Sequence, residues 1–256
     1  MLKPDWLTTM LGTMLILAIA LAVNAAEPAA VPTASAPATS EAKPAATAIP
    51  KAPGFPADYK GTPYKGVAQE IPGRVEMENF DEGGFKVAFN TQHHEGSSSG
   101  KDYRTDEKPQ ICVTNNPANP KDFFLDGKRY PGEGKESYFI GWAKSGDWCK
   151  YTVNVKKAGV YRVNTTASSE TKKMIFDISF NDVKKADYKT DTEGTANYHK
   201  WKVFDAICTV KLDAGLQVMK FHLTEQHLNY DYLEFVYDEK ASAPLDTATP
   251  PATTPR

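Results

Sequence analysis

Short runs that alternate apolar and polar residues, each closed by a turn signal, dominate the second half of this chain. In Trp148–Val155, Cys149, Tyr151, Val153 and Val155 share one face, and Lys150, Thr152 and Asn154 share the other. Lys156-Lys157-Ala158-Gly159 then turns the chain into Val160–Thr166. Met174–Phe180 alternates again, and Asn181-Asp182 before Val183 reads as a hairpin turn. Trp201–Leu212 and Leu216–Leu223 flank the tight turn Asp213-Ala214-Gly215, with Met219, Phe221 and Leu223 on one face and His222 on the other. No window sustains a helical period over three turns. The reading is all-β, an antiparallel sandwich or barrel.

The ends differ in character. Met10–Val23 is an apolar run after Lys3, and it closes in Val23-Asn24-Ala25, the pattern of a cleaved secretory signal over residues 1–25. The run is shorter than the roughly 20 residues a membrane span needs, so no span is expected after cleavage. Between Ala26 and Gly54, 22 of 29 residues are Ala, Pro, Ser or Thr, and 13 of the last 16 residues are too. Such stretches lack the large apolar side chains that offset ordering entropy. We therefore assign 26–65 to a disordered linker, 66–238 to the folded module and 239–256 to a disordered tail. The expected location is secreted or periplasmic.

Charge and motifs narrow the function. Thirty Lys and Arg face thirty-two Asp and Glu, without a basic run, which argues against nucleic acid as a partner. Phosphate-loop and HExxH signatures are absent. His93-His94 beside Ser97-Ser98-Ser99 reads as a solvated loop. Cys112, Cys149 and Cys208 allow at most one disulfide, and the core parity of Cys149 and Cys208 favours buried thiols.

Collinear blocks run through the folded region: Ile71–Gly84 (IPGRVEMENFDEGG), Gly100–Asp106, Ile140–Trp148 running into the next strand, Trp201, and Leu228–Phe235 (LNYDYLEF) at the end. In this order they resemble a family 6 carbohydrate-binding module. The resemblance implies a β-sandwich jelly roll that binds glycans and performs no chemistry. Its main sugar site lies in the loops at one end, where two aromatic rings clamp a sugar and an Asn bonds it. Carried over by block, those positions are Tyr103, Tyr198 and Asn229. A pyranose packs its C–H face on a ring, and an amide both donates to and accepts from vicinal hydroxyls. Trp201 is assigned to the core.

The chain departs from the pattern twice. Tyr198 stands where the family often has Trp, and 115–137 is a long insertion carrying Phe123, Phe124 and Tyr130. The resemblance also implies a structural calcium site where first and last strands meet, at Glu76, Glu78 and Asp231. Hard carboxylate oxygens suit that ion. The expected ligand is a plant or algal cell-wall polysaccharide (xylan, β-glucan or a relative). A scaffold or adhesion protein using the same loops is the alternative, and a glycoside-active enzyme a weaker one.

Overall fold

The computed structural model describes residues 48–92, 103–104, 109–114, 123–131, 135, 137–171, 173–190, 195–225 and 228–243. Expectations for the leader, for most of the Ala/Pro-rich segment, for His93-His94, for much of the insertion and for the far tail lie outside them. Among the described residues fourteen strands form: β1 (Gln69–Ile71), β2 (Gly73–Glu76), β3 (Phe89–Asn90), β4 (Ile111–Val113), β5 (Phe124–Leu125), β6 (Lys128–Arg129), β7 (Tyr138–Ile140), β8 (Trp148–Val155), β9 (Gly159–Ser169), β10 (Met174–Phe180), β11 (Val183–Thr190), β12 (Lys200–Leu212), β13 (Gly215–Leu223) and β14 (Leu228–Tyr237).

They build a jelly-roll sandwich. One sheet runs β1-β8-β13-β10-β11, with β3 also on β8; the other runs β4-β7-β14-β9-β12-β5-β6, with β2 also on β14. Alternation places Tyr151, Val153, Phe176, Ile178, Met219 and Phe221 against Tyr161, Val163, Leu233 and Phe235 in one buried core. Asn181 and Asp182 both take positive φ, as a two-residue hairpin turn requires, and β10 pairs with β11. The Lys156–Gly159 and Asp213–Gly215 turns instead carry the chain from one sheet to the other. Sequence alternation gives the faces of those strands but not their partners.

His222 points away from the core, as its parity predicts, and its Nδ1 lies 2.9 Å from Asp177 Oδ2. Cys112, Cys149 and Cys208 are all thiols. Cys208 is only half-buried, because the β9–β12 register breaks between Phe204 and Cys208 and its parity no longer points squarely into the core. Burial still pushes this thiol up to about 11.

Residues 48–65 fall in the segment that composition assigns to the linker, yet they arch over the outside of β8 and β13. Ala52 is buried; its N–H donates to Leu216 O (2.9 Å), and Leu216 N–H donates to Pro50 O (2.8 Å). Asn181 Nδ2 donates to Pro53 O (3.1 Å), and Tyr59 hydroxyl donates to Asp81 Oδ2 (2.8 Å). The arch explains why Thr152 and Val218, on the outer parity of their strands, are buried. A hollow of about 330 Å³ remains between it and Thr152 and Leu216. At the other end, Glu239–Ser242 of the assigned tail forms a helical turn, α1, with Asp238 capping Ala241 N–H and Ser242 Oγ accepting from Val160 N–H.

Candidate functional site

Asn229 organises one end of the sandwich. It lies on β14 opposite Ser168 of β9, and its Nδ2 donates to Ser168 Oγ (3.3 Å) and approaches Tyr198 O (3.5 Å). Ser168 Oγ donates to the same carbonyl at 2.7 Å, so the Tyr198 loop is fastened to the floor on which Asn229 stands. The Asn229 side chain is buried, and its Oδ1 faces Gly141. A Cβ on Gly141 would sit 3.1 Å from that oxygen and 3.0 Å from Cys112 Sγ. Glycine is what lets the β7–β8 loop close over the amide.

The next residue is Trp142. It is 67% exposed, the most open of the indole rings in the described residues, and its backbone takes the left-handed region at φ 56°. An aromatic residue rarely adopts that conformation without a structural reason. The loop is braced by Asp147, whose carboxylate accepts from Lys144 N–H (3.0 Å), Gln92 N–H (2.9 Å) and Thr91 Oγ1 (3.1 Å). A braced turn thus offers an exposed ring on the residue that follows Gly141, the glycine that meets Asn229.

Tyr198 is half-buried; its hydroxyl donates to Glu170 Oε2 at 3.3 Å, and burial with the nearby carboxylate pushes it up to about 12. The structure therefore brings Tyr198 and Asn229 together. Tyr103 is placed elsewhere. Its ring stacks on Tyr138 (4.3 Å between centroids, 19°), tilts against Tyr64 at 5.8 Å, and its hydroxyl donates to Asn79 Oδ1. Half-buried, with Tyr138 stacked on it and Tyr64 tilted against it, this ring packs within the protein. Trp142 is the ring that sequence reasoning missed, although its Ile140–Trp148 block was in view; the signal was a large aromatic in a Gly-Trp turn between two strands.

The insertion packs its apolar side inward. Phe123, Phe139, Trp201 and Cys112 form a second small core, with Tyr130 stacked on Trp201. Trp201 is 2% exposed, in agreement with its assignment to the core. Phe123 stacks on His199 at 5.0 Å, and Phe124 N–H donates to His199 O at 2.9 Å.

Glu76, Glu78 and Asp231 do converge, each offering a ligand atom within 4.8 Å of the others. β2 pairs with β14, which puts Glu76 opposite Tyr232 and brings Asp231 alongside. Glu78 Oε2 is buried with no hydrogen-bond partner among the described residues. Burial, then the charge of Asp231, pushes Glu78 well above the usual carboxylate range, and burial pushes Asp231 up to about 7. Tyr130 and Ser137 hydroxyls donate to Asp231 but leave the Glu78 oxygen bare. Three repelling carboxylates around an orphaned oxygen fit a hard divalent cation.

Residues 126–237 match the model of the carbohydrate binding module, family 6. Over that stretch the chain is similar to a family 6 carbohydrate-binding module. Solved structures similar to it include a module from Clostridium stercorarium in complex with cellobiose, at 11% identity and TM-score 0.43, covering 68% of this chain and 99% of that one. A β-1,3-glucan binding module from Bacillus halodurans matches at 16% identity and TM-score 0.43, over 66% of this chain and 99% of that one. The C-terminal module of a laminarinase from Zobellia galactanivorans matches at 15% and 0.36, over 40% and 82%. No curated protein sequence matches the chain. The module's matched span holds Trp142, Tyr198, Asn229 and Asp231, and begins after Glu76 and Glu78.

Proposed function

We propose that this chain is an exported, non-catalytic protein that binds a plant or algal cell-wall polysaccharide at the loop end of its module. Trp142 supplies an exposed stacking face, Asn229 an amide at the floor and Tyr198 the opposing wall. The observation that carries this reading is the placement of Asn229, pinned between the Gly141-Trp142 turn and the Tyr198 carbonyl. A sugar ring on the indole would bring its hydroxyls to that amide. Glu76, Glu78 and Asp231 hold calcium in a structural role, well inside the protein. The ion joins β2 and the turn after it to β14 and screens three carboxylates; it takes no part in contacting sugar. Neutral xylan and β-glucan remain the first ligands to try.

Affinity electrophoresis of the full chain in gels of soluble xylan, mixed-linkage β-glucan and laminarin tests the proposal. Retardation by at least one, lost in Trp142→Gly while the melting temperature holds, is the expected result. A parent that runs unretarded in all gels, or a variant retarded equally, overturns it. Release of reducing sugar from any of these polymers would move the chain to the enzyme class.

A further inference from the structure

The carboxylate trio and the sugar end share a strand. Asn229 and Asp231 lie two residues apart on β14, and the pairing of β14 with β9 slips between them. Tyr230 stands opposite Ala167 and Tyr232 opposite Thr166, so Asp231 is the extra residue of a bulge. The other side of β14 changes neighbour at the same point: Tyr230 pairs with Ile140 of β7, whereas Tyr232 pairs with Glu76 of β2. Asp231 thus stands at the junction between the strand that leads into the Gly141-Trp142 turn and the strand that carries Glu76. The insertion hairpin ties the same carboxylate to the opposite wall. Asp231 accepts from the Tyr130 hydroxyl and from Ser137 Oγ (3.0 Å to Oδ1, 3.2 Å to Oδ2). Tyr130 N–H donates to Phe123 O (2.8 Å), the Tyr130 ring stacks on Trp201, and Phe123 stacks on His199. His199 follows Tyr198, whose carbonyl is fastened beside Asn229 by Ser168.

We propose that calcium at Glu76, Glu78 and Asp231 and a polysaccharide at the Asn229 end bind with positive cooperativity, with Tyr130 as a positioning residue that carries part of the coupling; the inference rests on the calcium and sugar readings above. The element with two arrangements is the bulge together with the hairpin seated on it. Without a cation the three carboxylates repel, their ligand atoms lying within 4.8 Å of one another. Glu76 is held in the ladder opposite Tyr232, so the unpaired residue of the bulge is the one that yields. A displaced Asp231 withdraws the acceptor from Tyr130 and Ser137 and shifts Asn229, two residues away. Once the trio is drawn together, the bulge is held, and with it both sides of the amide: the Asn229 backbone and the hairpin that backs the Tyr198 loop. The sugar selects the same arrangement, and a ligand shifts such an equilibrium by its differential affinity for the two states. The linkage is reciprocal, so the factor by which calcium tightens sugar equals the factor by which sugar tightens calcium.

The test is a two-ligand cycle on the full chain, run well below the melting temperature of the chelator-treated protein so that every state is folded. Calcium is titrated into metal-stripped protein by calorimetry, alone and with xylan, mixed-linkage β-glucan or laminarin, neutral polymers that compete poorly for the ion. The polymer that retards the parent in gels should tighten calcium roughly 5- to 150-fold, and chelation should weaken retardation by the same factor. Tyr130→Phe keeps the stack on Trp201; both ligands should still bind, with a smaller factor in both directions. An ion that serves the fold alone would show one affinity whether or not polymer is added to an already folded protein. Equal calcium affinity with and without the retarding polymer, a coupling of opposite sign, or an undiminished factor in Tyr130→Phe each overturns the proposal. The readings fail separately: calcium and polymer that both bind, but independently, remove only the coupling. A parent that no polymer retards, or that takes up no calcium, removes the corresponding reading and this inference with it.

Discussion

The ring of Tyr130 lies stacked on the indole of Trp201, centroids 5.3 Å apart at 22°, while its hydroxyl donates to Asp231. One side chain from the insertion thus touches both the second core and the carboxylate trio. Trp201 in turn is the second residue of β12, the strand that follows the Tyr198 loop. Tyr130→Phe keeps the stack and removes the bond, at a cost on the order of 1–2 kcal/mol in urea unfolding. Trp201→Ala removes the centre of that core and should cost about 3–5 kcal/mol. A Phe variant as stable as the parent would show that the hydroxyl contact contributes nothing.

Calcium removal should destabilise the module. A ligand bound only by the folded state at 100 times its Kd contributes about 2.7 kcal/mol. For a domain of this size that is a fall of roughly 5–10 °C in melting temperature on chelation. Glu78→Gln should be insensitive to chelator, and without calcium it should be more stable than the parent, because an amide removes the cost of neutralising a buried carboxyl beside Asp231. Identical melting of parent and variant in chelator and in calcium, with no metal by elemental analysis, sinks the site.

At the loop end, Trp142→Gly separates binding from folding. The ring is mostly exposed and its φ of 56° suits glycine, so stability should hold or rise by about 1 kcal/mol. Polysaccharide affinity should fall roughly 5- to 150-fold, by analogy with other stacking platforms. Tyr103→Ala should do the reverse, losing its stack on Tyr138 and lowering stability more than affinity. If Tyr103→Ala abolishes binding in a folded protein, the platform is Tyr103 after all.

Asp81 gives a pH signature. Its carboxylate accepts from Thr152 N–H (2.7 Å), Thr152 Oγ1 (2.6 Å) and Tyr59 hydroxyl (2.8 Å), yet burial prevails and raises it from 3.8 to about 6. The folded state therefore holds this proton more tightly than the unfolded chain. Its contribution is whole below about pH 4 and is lost as the pH rises through about 6. Between those limits the parent should lose on the order of 3 kcal/mol more than Asp81→Asn, which does not titrate. Parallel stability profiles for the two proteins would falsify the assignment.

The strand faces were legible because a period of two needs nothing but local sequence. Tyr151, Val153, Met219 and Phe221 face inward and His222 outward for that reason alone. Glu76, Glu78 and Asp231 came together from a family block, with no local signal joining residues so far apart. The aromatic platform was harder. Tyr103 and Trp142 both follow small or polar residues in turn-rich stretches, and only packing separates them: Tyr138 and Tyr64 cover the first, and the Gly141 turn leaves the second bare. The insertion was harder still, since Phe123 and Phe124 are neighbours in sequence and face opposite ways.

The arch formed by residues 48–65 decides where a gene for this module can be trimmed. A product starting at Gly66 would strip the edge of β13 of its bonds to Pro50 and Ala52, uncover Val218 and leave Asp81 short of its Tyr59 donor. One starting at Ala48 keeps all of them. The working boundary of the folded unit lies among alanines and prolines, inside sequence that an engineer reading composition would discard.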